Sequence, residues 1–203
     1  MSLKIGVRLG DIKGAAGSAY VELNDTKVFA AVYGPMEPEN QQQDSALTGI
    51  VDCIIEDAWQ NTKEYDALCH KLLHTFSSTI FHKKYFKTLI RISITILEKG
   101  ELVQDATTLA GSLALIDAGI EMKDFVVSCN CGLVDGKFLP FTSSPRSVRV
   151  AILPSTNEIV ETEVIGRISP DEMKEAVHTA TDGCLNLIES IRGYFKNRVQ
   201  TNH

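Results

Sequence analysis

The sequence predicts an α+β fold in which α-helices pack on mixed β-sheets, and three observations carry that prediction. Read by periodicity, the chain runs as several strands, a helix, a strand, a second helix, several more strands and a final helix. That order is neither a regular strand–helix alternation nor all-β. Lys87 to Ile96 alternates cleanly, with Ile90, Ile92, Ile94 and Ile96 on one side and Lys87, Leu89, Arg91, Ser93 and Thr95 on the other, the pattern of a strand buried on one face. The composition is globular, with 44% hydrophobic and 23% charged residues in 203. That is enough for one compact domain or two small lobes sharing a core.

Each element has its own local signal. Ala19–Leu23 and Lys27–Tyr33 flank the turn-rich Asn24-Asp25-Thr26, which predicts a hairpin whose second strand stops at Gly34-Pro35. Gly49–Ile55 reads as a third strand. Leu68, Leu72, Leu73, Phe76 and Ile80 recur at helical spacing, so a helix is expected from Thr62 to about Phe81. After the alternating strand, Leu109, Leu113 and Ile116 form one stripe of a second helix and Ala106, Ala110 and Ala114 another, closed by Gly119 as a left-handed cap. Phe125–Val134 turns at Asp135-Gly136 into Lys137–Leu139, and Ser147–Leu153 pairs with Glu158–Ile165 around Ser155-Thr156-Asn157. The last helix has Ser169 as N-cap, Pro170 at its first position and Glu172 completing a capping box, with a buried stripe from Met173 to Phe195 and fraying near Arg198.

The net charge of −6 argues against a dedicated duplex-DNA binder. The charge is uneven, though: Glu37–Asp66 holds eight acids and one base, whereas Ala67–Arg91 holds five Lys/Arg, three His and no acid. In the basic stretch His82, Lys83, Lys84, Lys87 and Arg91 surround Tyr85 and Phe86. Charges for phosphate beside rings for bases is the chemistry of a single-stranded nucleic-acid surface, and a solvated helix end with lysines at the negative pole of its dipole accounts for the same residues. Five cysteines without an export signal predict reduced thiols, with Cys129 and Cys131 on one strand face. No apolar run approaches the roughly 20 residues of a membrane span, and Lys4 and Arg8 interrupt the first ten residues, so an intracellular chain with no membrane association is expected.

Motifs for chemistry are sparse. Gly14-Ala15-Ala16-Gly17 leads into a strand and not a helix, so it predicts a close approach of backbones and not a phosphate cradle. His70 and His74 share a helix face without the acid of a zinc-protease motif or a third ligand. Asp117 and Asp135 read as helix-end and turn residues, and Asp105 and Asp124 form no recognisable acid/base pair by spacing.

Two segments together resemble the RNase PH family of phosphorolytic 3′ exoribonucleases. Gly17-Ser18-Ala19 through Thr26-Lys27-Val28 to Gly34-Pro35 is similar to the family's opening strand pair. Ala114-Leu115-Ile116-Asp117-Ala118-Gly119-Ile120-Glu121-Met122-Lys123-Asp124 is similar to its ALxDAGIxMxD helix end. The helix opening at Ser169 and running through Ala180-Thr181-Asp182-Gly183 also fits, so the resemblance covers a single domain from residue 3 to 199. It implies an RNase PH-type fold. Within the family the chain looks most like the RNase PH-like subunits of the eukaryotic RNA exosome ring, most of which are inactive.

The resemblance also implies what has been lost. Counted without gaps from Asp117-Ala118-Gly119, the family's phosphate loop GG[TS]R falls on Glu101-Leu102-Val103-Gln104, so Gln104 stands at the arginine position. A guanidinium grips inorganic phosphate beside an already anionic RNA by paired charge-assisted hydrogen bonds, and an amide brings no charge. Pro140 stands where the family has an acid/base or metal-binding aspartate, and proline neither transfers a proton nor binds a metal. The family's tyrosine-proline-arginine segment survives as Tyr85-Phe86-Lys87. Its basic loop is replaced by Ile55–Asn61, where Trp59 reads either as an interface anchor or as a core residue. The expectation is a ring subunit with no catalytic residue, no metal and no cofactor. It would support 3′–5′ RNA processing and degradation in the nucleus, nucleolus and cytoplasm. Its neighbours would be other RNase PH-like subunits in a hexameric ring, with weak RNA contact through Lys83, Lys84, Lys87 and Arg91. An active phosphate-dependent exoribonuclease is the alternative.

Overall fold

The structure is a computed structural model that describes residues 3–38, 48–58 and 62–201, with side chains as far as Gly193 in the last helix. Nine strands form two sheets among these residues. The first sheet has the order β1-β2-β3-β5-β4 and the second β7-β6-β8-β9. The first is mixed as expected, but the second is wholly antiparallel.

Strand β1 (Ile5–Leu9) was not visible in the sequence, because Gly6 and Arg8 interrupt its apolar residues; it pairs antiparallel with β2 (Gly17–Leu23). The hairpin to β3 (Thr26–Met36) turns at Asn24, whose φ of 55° suits asparagine better than most residues. Contrary to expectation β3 does not stop at Gly34-Pro35. It continues to Met36 through a register shift after Tyr33, since Pro35 has no N–H for the ladder and pairing resumes at Met36 with Leu89.

Strand β4 (Ile50–Asp57) runs parallel to β5 (Leu89–Glu98), and α1 (Asp66–Thr79) lies between them in the chain. The helix is shorter than the periodicity suggested. Lys63–Tyr65 forms a separate 3-10 turn before it, and Ile80 is already extended, bridging to Met122. Leu68, Leu72 and Phe76 are buried under the sheet, as are Ile90, Ile92, Ile94 and Ile96 of β5.

Helix α2 (Val103–Asp117) packs against β2 and β3 and is buried along most of its length. The small residues permit this: a methyl added to Gly111 would lie 2.5 Å from the Phe76 ring, and one added to Gly17 would lie 2.6 Å from the Ala114 carbonyl oxygen. The backbone approach expected of the Gly14–Gly17 stretch is therefore realised at Gly17. Ile116, expected in the buried stripe, points outward because Leu115 takes the inner place. Asp117 accepts a hydrogen bond from the Ser18 backbone at 2.9 Å, and Gly119 at φ 68° ends the helix.

In the second sheet β6 (Val127–Val134) turns at Asp135 and Gly136, both at positive φ, into β7 (Lys137–Pro140); β8 (Ser147–Leu153) then pairs with β9 (Glu158–Ile165). Helix α3 (Pro170–Thr201) covers this sheet. Its capping box closes as expected, with Ser169 N–H donating to Glu172 at 2.8 Å and Glu172 N–H to the Ser169 hydroxyl at 3.3 Å. Ala176, Ala180, Cys184, Leu187, Ile188 and Ile191 form its buried stripe, and the helix continues past Arg198 to Thr201. Phe195 and Trp59 lie outside the described side chains. One hydrophobic core joins the two sheets and the helices.

Candidate functional site

A cleft of about 250 Å³ opens where the start of α2 meets the second sheet. The loop after β5 supplies Lys99, Gly100 and Glu101, the first turn of α2 supplies Val103, Gln104 and Asp105, and Asn130, Ser143, Ser147, Arg149, Glu163 and Ile165 complete the wall. Leu102 stands at the N-cap of α2 and gives it no side-chain cap, so the first-turn N–H groups and the dipole favour negative charge there. The carboxylates of Glu101 and Asp105 stand at the same place.

Asp105 is fully buried. Its carboxylate accepts from the Ser128 hydroxyl at 2.7 Å and from the Asn130 backbone at 3.1 Å. Burial pushes this carboxyl above its ordinary range, against the pull of nearby Arg149 and of the two hydrogen bonds. Arg149 is the other buried charge, with 5% of its side chain exposed. It reaches Glu161 at 3.2 Å and Glu163 at 2.8 Å across the β8–β9 hairpin. Lys71 of α1 bonds Glu163, and the Thr75 hydroxyl donates to Glu161 at 2.8 Å. Burial alone would raise the Glu163 pKa; the Lys71 hydrogen bond and the Arg149 charge outweigh it and hold the carboxyl below its usual range. Lys99 is bonded to Glu64. Both cations lining the cleft thus already face carboxylates.

The structure separates the two positions implicated by sequence. Gln104 lies in the cleft wall, and its carbonyl accepts from Thr107 and Thr108. Pro140 ends β7 opposite Cys131, close to Gly183 of α3, and is not part of the wall; Ser143, three residues on, is. Asp124 ties its loop to the β8–β9 hairpin, accepting from the Phe125 N–H at 2.9 Å and from the Ser155 N–H at 2.7 Å.

The basic stretch is a 3-10 turn, His82–Tyr85, followed by a bend, and not the end of α1. Lys87 lies in that bend at φ 55° and not on β5. Lys83, Lys84, Phe86 and Lys87 are exposed. Lys84 pairs with Glu121, and the Lys87 ammonium lies 5.8 Å from the centre of the Phe86 ring. Arg91 bonds Asp52 across the parallel pair at 3.0 Å, so it is engaged within the sheet. The His82 ring nitrogens lie 2.8 and 2.6 Å from the carbonyl oxygens of Gly49 and Ser77, which ties the turn to β4 and α1. His70 and His74 are exposed, and no group of three or more metal-ligating side chains occurs among the described residues. Among the same residues no helix is long and apolar enough to cross a membrane.

Sequence reasoning missed Arg149. The signal was present: Ser-Val-Arg-Val-Ala-Ile-Leu is an apolar strand with a cation as its third residue, and the hairpin register places Glu163 opposite it. A charge inside a buried strand requires a partner.

Two sheets sharing one core, with a cleft at the start of the central helix, define an RNase PH-type α+β domain. The chain belongs to the 3′ exoribonuclease family, domain 1, whose profile matches residues 3–121. It is 31% identical over 197 residues to the exosome complex component RRP41 of Bos taurus, spanning 87% of this chain and 79% of the relative. It is 30% identical over 207 residues to the exosome complex component Rrp41 of Methanopyrus kandleri, spanning 95% and 87%. Its fold is that of rice (Oryza sativa) Rrp46, at 18% identity and a TM-score of 0.83 over 93% of both chains. It also matches a chain of the Archaeoglobus fulgidus exosome with RNA bound to the active site, at 19% identity and a TM-score of 0.75 over 94% of this chain and 89% of that one.

Proposed function

We propose that this chain is a ring subunit of an RNA exosome that contributes architecture and RNA contact, and not bond-breaking chemistry. The observation that carries this reading is the engagement of the cleft cations. Inorganic phosphate would have to displace two carboxylates from Arg149, a side chain with 5% of its surface exposed. Gln104 offers hydrogen bonds without charge at the position where the family's arginine falls, and Glu101 and Asp105 add repulsion. Pro140 offers neither a proton nor a metal ligand.

The relatives, which are named as exosome components, support this assembly, in which the neighbours would be other RNase PH-like subunits of a hexameric ring. Nucleus, nucleolus and cytoplasm are the compartments this role implies. RNA contact falls to the exposed Lys83 and Lys87 with Phe86, while Lys84 and Arg91 contribute less because Glu121 and Asp52 offset their charge. A phosphate-dependent exoribonuclease is the second reading, favoured by the uncapped start of α2, which attracts anions.

Affinity capture from native extract, followed by mass spectrometry, tests the assembly. A stoichiometric set of distinct RNase PH-like subunits supports it, and recovery of this chain only with copies of itself refutes it.

A further inference from the structure

The five cysteines are all free thiols. Cys129, Cys131 and Cys184 are sealed between the second sheet and α3. The other two differ. Cys53 lies on β4, an edge strand, and is almost wholly buried; Cys69 lies in the first turn of α1 and is partly exposed. The Cys69 thiol fills part of the open edge of β4. It donates to the Cys53 carbonyl oxygen at 2.8 Å, which holds the Cys69 sulfur against the residue that carries the buried thiol. A partly exposed thiol held against a buried cysteine is the arrangement of an attacking and a resolving thiol.

We infer that Cys53 and Cys69 form a reversible disulfide, an oxidation site that fastens α1 to the edge of the first sheet. The hydrogen bond from Cys53 lowers the pKa of Cys69, and the same bond together with burial raises that of Cys53, so Cys69 reacts first. The Cys69 thiolate attacks one sulfur of a small-molecule disulfide such as oxidised glutathione. The S–S bond breaks and the departing thiolate takes up a proton. Cys53 then gives up its proton to solvent and attacks the Cys69 sulfur, displacing the attached second half as a thiol. Two protein thiols become one disulfide, and one small disulfide becomes two thiols.

The test incubates the folded, full-length chain with oxidised glutathione, quenches with acid, alkylates the remaining thiols after denaturation and maps tryptic peptides without reduction. Cleavage after Lys63 separates the two cysteines, so the disulfide joins peptide 28–63 to peptide 64–71. Two of the five thiols should escape alkylation, the joined peptides should appear, and dithiothreitol should restore all five. Cys53→Ser should stop at glutathione attached to Cys69, and Cys69→Ser should leave Cys53 unmodified. Five alkylated thiols in the wild-type chain, glutathione retained on Cys69 beside a free Cys53, or a bridge between other cysteines would each overturn the inference. The wild-type map alone decides it if a serine variant fails to fold.

Discussion

Arg149→Met removes the cation on which the walls of the cleft converge. It leaves Glu161 and Glu163 facing each other with only Lys71 and Thr75 as partners, and it withdraws the charge that offsets the burial of Asp105. Removing one partner of a fully buried ion pair costs about 3–5 kcal/mol. The two glutamates retain 21% and 23% of their side-chain surface, so solvent screens part of that cost. We expect about 2–3 kcal/mol by urea unfolding at neutral pH, followed by far-ultraviolet circular dichroism. For a chain of this size each kcal/mol shifts Tm by roughly 2–4 °C, giving a loss of about 4–12 °C. The triple variant Arg149→Met, Glu161→Gln, Glu163→Gln should recover much of it, because the two glutamates no longer repel each other and Lys71, with 35% of its side chain exposed, keeps its water. A loss below about 1 kcal/mol in the single variant, or no recovery in the triple variant, would show that the network is only a surface ion pair and refute the reasoning.

Other consequences follow from the same geometry. The folded pKa of Glu163 lies below its unfolded value, so its pairing stabilises the fold above the ordinary carboxylate range and is lost as pH falls through the folded value; Glu163→Gln should flatten the fall of the urea midpoint between neutral pH and about pH 3. Ser169→Ala removes the hydroxyl that caps α3 and should cost about 1 kcal/mol in the same assay. Gly17→Ala drives a methyl against the backbone of α2 at Ala114 and Ala118, where neither partner can turn aside, and should cost about 1–3 kcal/mol or prevent folding, read as lost soluble yield. In the assembled ring, Lys83→Ala combined with Lys87→Ala should lower the salt dependence of RNA binding by about 0.7 per lysine that contacts a phosphate, measured by filter binding across a salt series.

Much of the fold was legible because local and global signals agree. The alternating isoleucines of β5, the Asp135-Gly136 turn, the β8–β9 hairpin and the Ser169–Glu172 box each state their structure in a few residues. The signal failed where tertiary contacts overrode it. Gly6 and Arg8 hid β1, whose strand character comes from pairing with β2. Gly34-Pro35 looked like a stop, yet the ladder resumes one residue later. Ile116 fitted the helical stripe by count, but the inner place went to Leu115. At the site, Gln104 was found by counting and does line the cleft, whereas Pro140 does not. The network that matters most was hidden because Arg149, Glu161, Glu163 and Lys71 are brought together by the β8–β9 register and by α1, over a separation of 92 residues between Lys71 and Glu163.

The most direct measurement follows the 3′ end of a labelled RNA incubated with the purified chain at micromolar concentration, with and without inorganic phosphate. An RNA left at full length in both samples is the outcome predicted for a cleft whose cations are already held by carboxylates. Stepwise shortening that requires phosphate, releases nucleoside diphosphates and disappears on Gln104→Ala or Asp105→Asn would contradict the account.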